Sequence, residues 1–170
     1  MSESAKVRDL IVTRDALGGD SIPSMGEIGL NQFAPYLLNR ISARWNADVA
    51  EALKAQNMTT VQMRILAVLS VSSGPTVNEL SVLTVTEQST LSRTLDALED
   101  QSMIRRQPRN GDMRVREVHI LDLGRAAFAK VWPAIYAHYA QLFSGVSTDE
   151  FQAFTGTLHK MLRNIRKHDI

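Results

Sequence analysis

Between residues 87 and 120 the chain changes its period, and nothing else in the sequence restricts the fold as sharply. Leu91, Leu95 and Leu98 fall at i, i+4 and i+7, the spacing of one helix face. After Gln101 the step shortens to two. "MIRRQP" and "RVREVHIL" alternate apolar with polar residues, and "RNGD" between them holds Asn-Gly, the strongest short hairpin turn. The pattern predicts a helix that runs straight into a two-stranded β-ribbon with a polar tip.

Positive charge gathers on that ribbon. Arg105, Arg106, Arg109, Arg114 and Arg116 lie within twelve positions, and residues 101–116 contain one acid, Asp112, for a local net charge of +4. The 170-residue chain as a whole carries a formal charge of only +1. Charge this concentrated points to nucleic acid in a way that the overall balance does not.

Helix starts are written upstream and downstream as capping boxes, in which a Ser or Thr caps the helix and a Glu or Gln three residues on reaches back to it. Thr59 with Gln62 opens a helix through about Val71, Thr76 with Glu79 one through about Leu83, and Ser147 with Glu150 the last, about 148–168. Thr84 with Glu87 fits the same pattern, with Thr86 competing as cap of the helix at 87–101. Only "TVT" separates the short helices at 76 and 87, the layout of a helix-turn-helix.

Phe33, Leu37, Ile41, Trp45, Val49 and Leu53 recur every four residues, which predicts an amphipathic helix over 30–56 whose stripe drifts around its surface. Asp122 is expected to cap a helix to about Gly145, with Phe128, Val131, Ile135, Tyr139 and Leu142 on one face and a bend at Pro133. Residues 1–29 lack lasting periodicity apart from "DLIV" and are read as a flexible arm.

The helix after the short turn presents Gln88, Ser89, Ser92, Arg93 and Asp96 opposite its leucines. Gln pairs with adenine edges, Arg forks onto guanine, and short hydroxyls reach bases or phosphates without holding the helix out of a groove. Taken alone this is an ordinary solvated face. Flanked by a helix-turn-helix and a basic ribbon, it becomes the recognition element of a winged helix. Gln88, Ser89, Thr90, Ser92 and Arg93 are then assigned to the major groove, and Arg109, Asn110 and Arg114 to the minor groove and backbone. Thr76, Val77 and Asn78 are assigned to phosphates at a helix N-terminus.

The segment "TVNELSVLTVTEQSTLSRTLDALEDQSMIRRQPRNGDMRVREVHILDLGRAAF" resembles the winged helix of the MarR (multiple antibiotic resistance regulator) family, and "FAPYLLNRISARWNADV" resembles its first helix. The match runs from about residue 30 to 168. The resemblance places Arg93 at the family's characteristic recognition-helix arginine, and Asp112-Met113-Arg114 on its Asp-x-Arg wing motif, with Asp112 orienting the wing. It implies a mainly α fold with a small β-ribbon: an arm (1–29), dimerisation helices (30–56 and 122–170) and a winged helix-turn-helix lobe (57–121). It also implies a homodimeric DNA-binding regulator, most simply a repressor on a palindromic operator. A small aromatic or amphipathic effector is expected, with Arg40, Trp45 and Met63 as candidate pocket residues. Two positions depart from the pattern. Ser102 replaces the usual glycine after the recognition helix, calling for a left-handed serine or a different turn, and "ILDLG" replaces Leu-Thr-x-x-Gly at the wing exit, leaving Asp122 to supply the cap.

Other classes find little support. There is no cysteine, and His119, His138, His159 and His168 lie far apart, so no metal ligand set or cofactor is expected. "GGDSI" at 18–22 sits in the irregular arm without triad partners, so no enzyme is expected. No apolar run reaches membrane-spanning length and no secretory leader is evident, so a cytoplasmic protein is expected. The competing reading is a winged helix turned protein-interaction module, which loss of wing charge would have favoured.

Overall fold

The computed structural model describes residues 24–109 and 112–165. Along the chain come α1 (Met25–Ile28), α2 (Ala34–Lys54), α3 (Thr60–Val71), α4 (Val77–Leu83) and α5 (Gln88–Asp100). They are followed by β1 (Ile104–Arg109), β2 (Asp112–Ile120), α6 (Asp122–Leu142) and α7 (Thr148–Ile165). The chain divides into two compact units within α2, after Ala47.

The first unit holds α1 and most of α2. Of the arm expected over residues 1–29 the structure describes only 24–29, which include the single turn of α1, while "DLIV" and "GGDSI" lie outside the described residues. Along α2 the four-residue stripe ends in two fully buried side chains of the second unit, Val49 and Leu53, whereas Leu37 and Ile41 are exposed.

In the second unit one core gathers α3, α4, α5 and the ribbon. Ile65, Leu66 and Leu69 of α3, Leu80 of α4, and Leu91, Leu95 and Leu98 of α5 pack with Ile104, Val118 and Ile120 of the strands. The capping boxes of α3 and α4 form as the sequence predicts, with Thr59 and Thr76 each exchanging hydrogen bonds with the third helical residue. Ser147 and Glu150 do the same ahead of α7.

Neither expected cap of α5 exists. Thr84 is buried at the C-terminus of α4 and donates to the Leu80 carbonyl at 2.6 Å, Thr86 donates to the Thr84 carbonyl, and Glu87 occupies the N-cap position without a side-chain capping bond. The predicted Asp122 cap fails as well. Leu121 is the N-cap of α6, because its N–H is held by the Met103 carbonyl at 2.9 Å, and Asp122 therefore falls one residue into the helix. There its charge still favours the positive end of the helix dipole.

Three helices end on the same device. After α2, α4 and α5 the chain turns through left-handed residues that are not glycine: Asn57 (φ 50°), Val85 (φ 50°) and Ser102 (φ 54°). Each is flanked by paired bonds of the Schellman type, as in Val85 N–H to Val82 O at 3.1 Å and Thr86 N–H to Ser81 O at 3.0 Å. The left-handed serine expected at position 102 is thus the outcome. Asn tolerates this conformation, but a β-branched valine does not adopt it freely.

The remaining helices leave apolar surface uncovered. Val131 and Ile135 of α6 are buried, while Trp132, Tyr136, Tyr139 and Leu142 are exposed. A file of ring contacts runs Phe128, Trp132, Tyr136, Tyr139, Phe143 and on to Phe151 of α7, with centroids 5.0–6.0 Å apart. No residue of α7 is buried although its sequence is amphipathic, and Leu162 and Ile165 are 59% and 73% exposed. Pro133 lies inside α6, as predicted. Among the described residues no helix is long and apolar enough to cross a membrane.

Candidate nucleic-acid interface

Burial of Leu91, Leu95 and Leu98 fixes the rotation of α5 about its axis, and the opposite face follows from it. Gln88, Ser89, Thr90, Ser92 and Arg93 are all exposed. No side chain caps the start of this helix, so its first backbone N–H groups lack a side-chain acceptor at the positive end of the helix dipole.

The start of α4 lies between that end and the ribbon. Residues before α4 pair with the ribbon, since Val118 N–H donates to the Pro75 carbonyl at 2.9 Å and Thr76 bridges Glu117. The start of α4 is thereby tied to the base of the wing. Across the turn between α4 and α5, the Gln88 side-chain Nε2 donates to Asn78 Oδ1 at 3.1 Å. Thr76, Val77 and Asn78 at the start of α4 are thus brought beside Gln88 of α5 and Arg109 of the ribbon.

A cleft of about 410 Å³ lies between α4 and the wing, lined by Thr76, Val77, Asn78, Glu79, Arg109, Val115 and Arg116. Arg109 donates from Nε to Glu117 Oε1 at 2.7 Å, and this bond, followed by the nearby His119, holds the Glu117 carboxyl below its ordinary range. Gln107 Nε2 lies 2.9 Å from His119 Nε2 on the same face of the ribbon. Thr76 is less available to a phosphate than its assignment requires: its N–H is taken by Glu79 Oε2 at 2.6 Å and its hydroxyl accepts from the Glu79 N–H. Those bonds, backbone first, hold the Glu79 carboxyl below its ordinary value. At the start of α4 the backbone N–H groups of Val77 and Asn78 are left without intrahelical acceptors.

The strand pairing runs in register from Ile104 opposite Ile120 to Pro108 opposite Arg116, then slips so that Arg109 faces Asp112. Asn110 lies outside the described residues, as do the side chains of Asp112 and Arg114. Alternation along β1 separates its two adjacent arginines. Arg106 turns toward α5 and pairs with Asp96 and Glu99, whereas Arg105 is exposed. Arg116 was not among the residues assigned to DNA from the sequence, yet it lines the cleft with Arg109; its place opposite Pro108 depends on register, which the sequence does not show.

Of the residues assigned to an effector, Arg40 is exposed with its guanidinium 5.7 Å from the Tyr36 ring centroid, and Trp45 is half-buried. Met63 is buried on α3. Among the described residues no cluster of His, Asp or Glu could hold a metal ion.

Known proteins share this fold. Residues 56–114 match the family model described as MarR family. The chain is similar to a MarR-family transcriptional regulator from Silicibacter pomeroyi, whose crystal structure is 41% identical with a TM-score of 0.82, covering 87% of this chain and 100% of that one. The HTH-type transcriptional repressor IacR of Pseudomonas putida is 20% identical over 143 residues, 84% of this chain and 86% of its own. The repressor CouR bound to a 23-mer DNA duplex is 24% identical with a TM-score of 0.66, covering 83% of this chain and 99% of that one. CouR from Rhodococcus jostii RHA1 has also been solved with p-coumaroyl-CoA, at 17% identity and a TM-score of 0.70, covering 78% and 94%.

Proposed function

The chain belongs to the MarR family of transcriptional regulators, and from that premise we propose that it is a homodimeric repressor that binds a palindromic operator. The observation that carries the reading is the uncapped, exposed polar face of α5, set beside a cleft that bears Arg109 and Arg116. Gln88, Ser89, Thr90, Ser92 and Arg93 enter the major groove. Arg109, Asn110 and Arg114 follow the minor groove and backbone, with Asp112 orienting the wing, and the start of α4 meets phosphate through Val77 and Asn78.

The uncovered apolar surface of α6 and α7 supports the dimer, since an amphipathic helix with no buried residue requires a partner surface. A two-fold dimer sets two recognition helices roughly 34–36 Å apart, one turn of DNA. A small aromatic or amphipathic effector that binds one spacing better than the other would release the operator; CouR, with its p-coumaroyl-CoA, gives this part its precedent.

Fluorescence anisotropy with DNA from upstream of the protein's own gene, against a shuffled duplex at two salt concentrations, tests the reading. Selective binding that weakens steeply with salt is expected, because neutralised phosphates release counterions. Equal, salt-insensitive behaviour on both duplexes would overturn it in favour of a protein-interaction module.

A further inference from the structure

The hydrogen bond between Gln88 and Asn78 determines what Gln88 has left to offer. A glutamine amide carries two N–H donors and one carbonyl acceptor. One N–H is spent on Asn78 Oδ1 at 3.1 Å, which leaves one N–H and the carbonyl oxygen free. Gln88 is the first residue of α5 and is exposed, as is Asn78 on α4, so the pair stands at the end of the recognition helix that leads into the groove.

The base edges of the major groove differ in this inventory. Adenine presents N7 as acceptor beside its N6 amino donor and requires one donor and one acceptor from the protein. Guanine presents two acceptors, N7 and O6, and requires two donors. A free glutamine amide can turn to serve several edges. Gln88 tied at one N–H matches adenine and lacks the second donor for guanine. The bond also removes rotamer freedom before DNA arrives, so less entropy is lost on binding.

We propose that Asn78 is a positioning residue that fixes the Gln88 amide to read one adenine in each operator half-site. This rests on the DNA-binding reading above and goes beyond it by naming the base and a second role for Asn78, which the sequence had assigned to phosphate alone.

Selection from a randomised duplex by the full-length protein tests it, using the wild type, Gln88→Ala, Asn78→Ala and Asn78→Asp, with thermal melting to verify folding. The wild type is expected to fix an adenine at one position of each half-site. Replacing that base by guanine or 7-deazaadenine should cost about 5- to 150-fold in affinity. Gln88→Ala should lose the preference. Asn78→Ala should narrow the adenine-over-guanine ratio, and Asn78→Asp, which keeps the acceptor oxygen, should restore the ratio even as its charge weakens binding to every duplex. An Asn78→Ala protein that keeps the wild-type adenine-over-guanine ratio would show that Asn78 serves phosphate through its backbone N–H alone, which overturns the proposal. A selected site indifferent to Gln88→Ala also overturns it while leaving the DNA-binding reading standing. If the wild type enriches no site at all, both fail.

Discussion

Arg106 clasps Glu99 with two groups: its backbone N–H donates to Oε1 and its side-chain Nε to Oε2, both at 2.7 Å. Its Nη2 also reaches Asp96 Oδ1 at 2.8 Å. The first strand of the wing is thereby fastened to the polar side of α5, so the wing and the recognition helix are oriented together.

Arg106→Ala is expected to lower stability by about 1–2 kcal/mol, the worth of charge-assisted hydrogen bonds discounted for partial exposure. Arg105→Ala, on the exposed side of the same strand, should stay within about 0.5 kcal/mol. Urea unfolding separates them, and equal losses would show that the clasp contributes nothing beyond strand composition.

The same clasp gives a pH dependence. The Arg106 side chain, then its backbone N–H, holds the Glu99 carboxyl below the ordinary glutamate value of 4.5. Because the folded pKa is depressed, this stabilisation is complete above pH 4.5 and is lost as pH falls through the folded value. Glu99→Gln should therefore flatten the acid limb of the stability curve below pH 4.5 without changing its slope near neutrality. An unchanged acid limb would mean that other carboxylates set it.

Val85 is 84% exposed and has φ of 50°, so its side chain gains no burial to offset an unfavourable backbone. Val85→Gly is expected to stabilise by about 1 kcal/mol, raising Tm by roughly 2–4 °C. Val85→Ala, which keeps a Cβ, should gain much less. A loss of stability in the glycine variant would show that valine limits the unfolded chain more than it strains the folded one.

At Gly124 the requirement is space. A Cβ there would come within 2.3 Å of the Met103 carbonyl oxygen, the same atom that accepts from Leu121 N–H. Backbone cannot yield as a flexible side chain can. Gly124→Ala should cost about 1–3 kcal/mol by prising α6 away from the start of the wing, and thermal melting reads the loss. A melting temperature equal to wild type would show that the helix shifts freely.

On α7, Leu162 is 59% exposed in a single chain. If α6 and α7 form the proposed dimer surface, Leu162→Glu should shift the protein toward monomer in light scattering and weaken operator binding at low protein concentration. Were the side chain simply solvated, neither property would change.

Local chemistry was legible in the sequence: the capping boxes at Thr59, Thr76 and Ser147 need only residues three apart, and the change of period at Gln101 needs only the pattern of apolar side chains. Fold class and the polar face of α5 followed from the same short-range rules. What the tertiary structure alone decided are matters of competition between distant groups. Thr84 loses its capping role because burial at the end of α4 turns its hydroxyl back to Leu80. Asp122 misses its cap because the Met103 carbonyl fixes where α6 begins. Arg106 and Arg105 are chemically alike, and only the side of the strand that faces α5 separates an ion pair from an exposed charge. Asn78 and Gln88, ten residues apart, meet because the turn between two helices folds one onto the other. A sequence lists the donors and acceptors, but which of them are spent on each other depends on distances that exist only after the core has packed.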